Sequence, residues 1–128
     1  MATTLAKIID EKETAVFSGT LKASSTAVIP VANIATAKLT LYNEANGAII
    51  NSRDAQNVLN QNNVTITSGG ILTWDLQVND NVIVDTTLEA GAIENHIALF
   101  QFTTVATTPL ETFHDEFVIQ VKSLTKIS

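Results

Sequence analysis

The sequence predicts an antiparallel all-β sandwich, and three observations carry that prediction. Short runs alternate apolar and polar residues with a period of two. The clearest sets Leu72, Trp74 and Leu76 on one face and Ile71, Thr73 and Asp75 on the other. Turn-forming residues separate about six or seven such runs at intervals of roughly 8–12 residues. Charged residues make up only 16% of the chain, against roughly a quarter in an average domain, and the polar surface is drawn from Thr, Asn, Ser and Gln. That composition suits exposed strands, turns and protein-facing surfaces better than a charged helical exterior.

Taken in order, residues 1–13 read as an N-terminal arm, either a short helix or an ordered extension. Leu5, Ile8 and Ile9 are helically spaced, and terminal arms of this kind often dock on a neighbouring subunit. Residues 14–128 form the sandwich domain. Residues 15–23 alternate as a strand, with Phe17, Gly19 and Leu21 opposite Val16, Ser18 and Thr20. Ala27, Val28 and Ile29 make a second extended piece ended by Pro30, which belongs at a sheet edge because it lacks a ladder donor. Residues 35–42 are a strand burying Ala37, Leu39 and Leu41. Asn46-Gly47 then signals a hairpin, since both residues tolerate positive φ.

After the return through Ile49 and Ile50, Ser52 or Asp54 is expected to cap a short helical turn over residues 55–59, anchored by Val58 and Leu59. Residues 64–67 form the next strand. Gly69-Gly70 turns the chain into the Trp74 strand, whose Leu-Trp-Leu stripe is expected to be core and central. Asn79-Asp80-Asn81 reads as loop, and Val82, Ile83 and Val84 as a short extended segment. Residues 96–104 place His96, Ala98, Phe100 and Phe102 on one face and apolar residues on the other too, as expected of a central strand or of one whose outer face meets a partner. A loop containing Pro109 leads to a last strand over residues 113–122, with Phe117, Ile119 and Val121 inward and a hairpin partner in the strand before.

The bulk numbers narrow the function classes. At 128 residues with 45% hydrophobic content, the chain makes a single domain with a core that needs no cross-links. Seven basic residues scattered among thirteen acidic ones, for a net charge of −6, disfavour a phosphate-tracking surface and docking on an anionic membrane. With no cysteine, disulfides, thiolate catalysis and Cys-ligated zinc are excluded. The first twelve residues have neither the basic start nor the apolar core of a signal peptide, and no run approaches a membrane span.

Candidate chemistry is sparse. His96 and His114 lie on strands that can pair, with Glu94, Asp115 and Glu116 nearby. A metal site needs three or four such groups converging on one point, so solvated side chains on a sheet rim are the preferred reading. Ser24-Ser25 lacks a nucleophile elbow. Asn79-Asp80-Asn81 with Asp85 lacks the ligand spacing of a calcium loop, so turn capping is preferred. Gly69-Gly70 precedes a strand rather than a helix, which rules out the usual phosphate cradle. Asp10 with Glu11, and Asp115 with Glu116, are sequence neighbours that face opposite ways on a strand. Phe100 with Phe102 reads as core rather than as a base-stacking platform. No catalytic, cofactor-binding or metal-binding residue is assigned, and no cofactor is expected.

One set of residues points further. From Ala35 to Leu124 the chain carries Leu39-Thr40-Leu41-Tyr42, Gly47, Ile50-Asn51-Ser52-Arg53-Asp54 and Val58-Leu59-Asn60. It continues through Gly70-Ile71-Leu72-Thr73-Trp74-Asp75-Leu76, Asp80-Asn81 and Glu94-Asn95-His96-Ile97-Ala98-Leu99-Phe100, and closes with Glu116-Phe117-Val118-Ile119-Gln120-Val121-Lys122-Ser123-Leu124. This combination resembles a small immunoglobulin-like domain found in structural proteins of tailed bacteriophages. The resemblance implies an immunoglobulin-like β-sandwich, a virion component assembled in the host cytoplasm, and no catalytic residues. It implies a homo-oligomer whose partners are other virion proteins: portal or adaptor, tail, or major capsid protein. Neither nucleic acid nor membrane is a direct partner. A neck or tail position is the first expectation. A capsid decoration protein is the close alternative, and a carbohydrate-binding host-attachment module the more distant one. The long N-terminal segment and the absence of a cysteine pair depart from the plain module.

Overall fold

The period-two alternation predicted around Trp74 builds a real strand because each side of it finds its own environment. Leu72, Trp74 and Leu76 are buried, while Ile71 and Asp75 are exposed and Thr73 half-buried. A computed structural model describes residues 3–4, 8–21, 31–105 and 112–124. Nine strands are described: β1 Thr3–Thr4, β2 Ile9–Asp10, β3 Ala15–Thr20, β4 Ile34–Asn43, β5 Gln56–Asn57, β6 Val64–Ile66, β7 Ile71–Leu76, β8 Ile93–Thr104 and β9 Thr112–Lys122. Two 3₁₀ turns, Val31–Asn33 and Val78–Asn81, complete the described elements.

The strands form two sheets. The smaller is antiparallel in the order β3-β7-β6, so the Trp74 strand is its centre, flanked by Phe17 and Val64 in register. The larger runs β1-β9-β8-β4-β5, with β2 also pairing β9. Within it β8 lies between β9 and β4, as its two apolar faces predict: Ile97, on the outer face, is only 5% exposed. β8 begins at Ile93, three residues ahead of the expected start.

The sheets meet face to face through aromatic rings. Trp74 packs edge-on against Phe100 with centroids 5.7 Å apart, and Phe17 packs on Phe117 at 4.5 Å. Leu39, Leu41, Val58, Ile119 and Val121 fill the remainder of the core. Each fully buried side chain of this size contributes about 1.5–3 kcal/mol by leaving water. The result is an all-β sandwich-like fold. Its Asn46-Gly47 hairpin closes as predicted: Gly47 sits at φ +74°, its N–H donates to Asn43 O at 2.7 Å, and Asn43 N–H donates to Ala48 O.

Three local expectations are corrected. Residues 55–59 do not form a helical turn. Gln56–Asn57 is extended and pairs with Lys38 and Leu39, and Val58 N–H donates to Ala37 O at 2.9 Å. Pairing with the β4 edge buries Val58 completely. The amide of Ala55 is taken by Thr40 Oγ1 rather than by a cap at Ser52 or Asp54. The helical turn next to the core is instead Val78–Asn81, within a stretch read as loop, because the Asp80 carboxylate accepts from Gln77 N–H at 2.7 Å and closes it. Val82, Ile83 and Val84 are not a strand, although all three pack half-buried against the core.

The arm takes the second of its two expected forms. Its described parts, Thr3–Thr4 and Ile9–Asp10, are extended and pair parallel with β9, where the spacing of Leu5, Ile8 and Ile9 also allowed a helix. Burial of Ile9, and the bond from Glu11 N–H to Lys122 O, hold residues 9–11 to the sheet. The extended piece at Ala27–Ile29, Pro30 and the Pro109 loop lie outside the described residues.

Candidate functional site

Two buried polar clusters and two surface recesses hold the polar chemistry of the described fold. The first cluster is centred on Arg53, 2% exposed, on the loop between β4 and β5. All five of its N–H groups are used. Nε and Nη2 donate to the two Asp80 carboxylate oxygens at 2.6 and 3.0 Å, Nη1 to Gln56 Oε1 and Asn62 O, and Nη2 also to Asn63 Oδ1. Asp80 is equally saturated, since Asn51 Nδ2 and Gln77 N–H take its remaining acceptor positions. The guanidinium also lies 5.7 Å from the Trp74 ring centroid, a cation–π distance.

This saturation explains the backbone around it. Asn51, Ser52, Ala55, Asn60, Asn62 and Asn63 all take positive φ. Asn accepts that region readily, but Ser52 and Ala55 hold it at a cost, which persists only where surrounding bonds over-determine the chain. Arg53 supplies those bonds by tying residues 53, 56, 62 and 63 to the 3₁₀ turn. No donor of Arg53 is left for a ligand.

The second cluster joins Glu94 and His96, two residues apart on one face of β8. Glu94 Oε1 contacts His96 Nε2 at 2.6 Å and accepts from Val84 N–H at 2.7 Å, while Oε2 accepts from Asp85 N–H at 2.9 Å. Burial alone raises the Glu94 pKa, but the bonds from Val84, His96 and Asp85 outweigh it and hold the carboxyl below its ordinary value. Burial pushes the His96 ring below 6.5, with Glu94 opposing. The ring is therefore neutral at pH 7, with its proton on Nε2 facing the carboxylate. Its Nδ1 is buried without a partner.

These two residues are not solvated on a sheet rim, as the sequence reading preferred. His96 is fully buried and Glu94 is 6% exposed, because β8 starts early enough to carry Glu94 onto the inner face. His114 is exposed on β9 in register with Gln101, five residues along β8 from His96, so the structure does not bring the two histidines together. Asp115 turns toward the Phe17, Phe100 and Phe117 rings, where burial raises its pKa, whereas Glu116 faces outward. Glu116 and Glu44 both raise the Tyr42 hydroxyl, after burial.

Within Asn79-Asp80-Asn81, Asp80 does cap the turn, and its larger role is to neutralise Arg53. Asn81 Nδ2 donates to Glu13 O at 2.6 Å, fastening the base of the arm. Asp85 accepts from Thr87 N–H and Oγ1, which lowers its pKa. Among the described residues no three His, Asp or Glu side chains are placed to share a metal ion. Gly69-Gly70 forms the β6–β7 turn, with Gly70 at φ +76°, and Phe100 and Phe102 are core. Ser24-Ser25 lies outside the described residues. Arg53 is the residue that sequence reasoning missed as a functional group. The available signal was that it is the only arginine in a lysine-using chain, the type suited to a buried bidentate pair.

Two surface recesses lie among the described residues. One, of about 230 Å³, is lined by Asn43, Glu44, Asp85, Leu88, Glu94 and Asn95. The other, of about 170 Å³, lies over Lys38, Gln101 and His114. Neither holds a nucleophile paired with a base. Compared with protein-family models, curated proteins and solved structures, the chain matches none.

Proposed function

We propose that this chain is a non-enzymatic structural component of a tailed-phage virion with an immunoglobulin-like sandwich, assembling through protein–protein contacts at the head–tail junction or tail. The carrying observation is where four polar members of the resembling run lie. Arg53, Asp80, Glu94 and His96 are all buried and bonded to one another or to backbone. What the resemblance transfers is thus a scaffold whose loops are pinned from inside, with its open chemistry on Thr- and Asn-rich outer surfaces. The arm, adding parallel edge strands to β9, supplies a sheet edge suited to further strand pairing.

The carbohydrate-binding alternative requires aromatic side chains presented to solvent. Trp74 is 1% exposed and Tyr42 half-buried, so no observation favours it. Mass spectrometry of purified particles tests the proposal. The chain should be present at a dozen to a few dozen copies for a neck or tail ring, whereas hundreds per particle identify the decoration alternative. Particles lacking the chain reject both.

A further inference from the structure

We infer that the recess over Lys38, Gln101 and His114 docks the carboxylate-bearing rim around Glu44 and Asp85 of a second copy. The inference rests on the assembly reading above and names the partner it leaves open. Cross-strand register builds the recess from two rows of polar side chains, Lys38–Gln101–His114 and Thr36–Thr103–Thr112, across β4, β8 and β9. Its volume of about 170 Å³ equals about six waters at ~30 Å³ each, room for an incoming carboxylate side chain. Thr36 and Thr103 bond to each other through their hydroxyls. Lys38 and His114 are exposed and make no ion pair among the described residues, so both are open to a ligand.

The complementary surface lies at the other end of the same two strands. Glu44 follows the last residue of β4, Asp85 precedes β8, and both line the second recess. Glu94 has its oxygens committed to Val84, Asp85 and His96. Glu44 has only a 3.5 Å contact to Asn95, and Asp85 one oxygen on Thr87, so these two keep free acceptor capacity. Other charges flank both surfaces: Glu116 is one row along β9 from His114, Asp54 precedes the Ala55 amide that bonds Thr40 Oγ1, and Lys122 is in register with Ile93 at the acidic end. From residue 38 to residue 44 the strand rise of ~3.3 Å per residue gives a separation on the order of 20 Å. Lys38 and Glu44 are therefore set apart along the strand axis. Setting recess against recess, or rim against rim, opposes like charges; setting recess against rim pairs unlike ones.

Sedimentation of the full chain over a concentration series, in about 0.05 M and about 0.5 M salt, tests the contact. Wild type should self-associate and weaken at high salt. Lys38→Glu alone, and Glu44→Lys with Asp85→Lys, should each weaken association by roughly tenfold, because each turns an attraction into a repulsion. All three positions are exposed, and unchanged circular dichroism and melting would show that the folds are intact. Mixing the two variants should restore association, since each then offers what the other lacks. Wild type that stays monomeric, association indifferent to these substitutions, or a mixture that does not recover would each overturn the inference. Presence of the chain in particles is read separately, so such a result leaves the virion reading standing.

Discussion

The two buried polar clusters solve the same problem with opposite completeness. Arg53 and Asp80 themselves have every donor and acceptor matched, and charge meets charge, although Trp74 Nε1 and Asn81 Oδ1 beside them are buried without partners. Around Glu94 and His96 both carboxylate oxygens are engaged, by three bonds in all, but the ring leaves Nδ1 without a partner. The first arrangement makes a lock that holds two loops and the Trp74 face together. The second makes a latch on residues 84–85, tied to a group whose protonation state the fold biases. A saturated pair costs much to break. A half-saturated one is cheaper to break and makes stability depend on pH.

The sharpest way to break the comparison is Asp80→Ala. It leaves a buried guanidinium uncompensated and should cost about 3–5 kcal/mol in denaturant unfolding. The double variant Arg53→Met/Asp80→Leu should recover much of that loss, because both desolvated charges go together. If the single variant melts like wild type, the cluster is not a lock.

Glu94→Gln should cost less, about 1–3 kcal/mol, through weakened acceptance from Val84 and Asp85. Its specific readout is hydrogen exchange. The amides of Val84 and Asp85 should accelerate while that of Gln77, held by Asp80, stays slow.

The pH effect comes next. The folded His96 pKa lies below 6.5, so the unfolded chain takes up a proton first as pH falls. Stability is fully present above about pH 6.5 and declines from there toward the lower folded value. Glu94, also depressed, adds a further loss below its ordinary 4.5. Asp115 works the other way, since a raised carboxyl pKa favours the fold on acidification. The cleanest measurement is thermal stability between pH 7 and 5 in an Asp115→Asn background, where His96→Gln should flatten the slope. A slope unchanged by His96→Gln contradicts the latch. Smallest of all, Asn51→Ala removes one of four bonds to Asp80 and should cost about 1 kcal/mol or less.

Much of the framework was legible in the residues. Leu72-Trp74-Leu76, Ala37-Leu39-Leu41 and Phe100-Phe102 announced their buried faces by alternation alone. Asn46-Gly47 announced its turn through the backbone freedom of the two residues. The site was harder to read. Glu94 and His96 share a face at period two, so their proximity was visible, but whether that face held solvent or core was not. Arg53 meets Asp80 across 27 residues of chain, and no local pattern specifies such a pairing. The helical turn was misplaced for the same reason. Caps were available at Ser52 and Asp54, but β4 offered residues 56–57 a ladder and Asp80 drew Arg53 inward.

By itself, then, the sequence determined which residues face inward, because alternation on a strand is a local property of the backbone. It also set the poverty of charge, and with it the premium on matching each charge that is buried. Only the tertiary structure decided which strands are neighbours and which polar side chains are spent on holding loops. Those outcomes depend on contacts between residues tens of positions apart, whose energies arise only once the two sheets have excluded water between them.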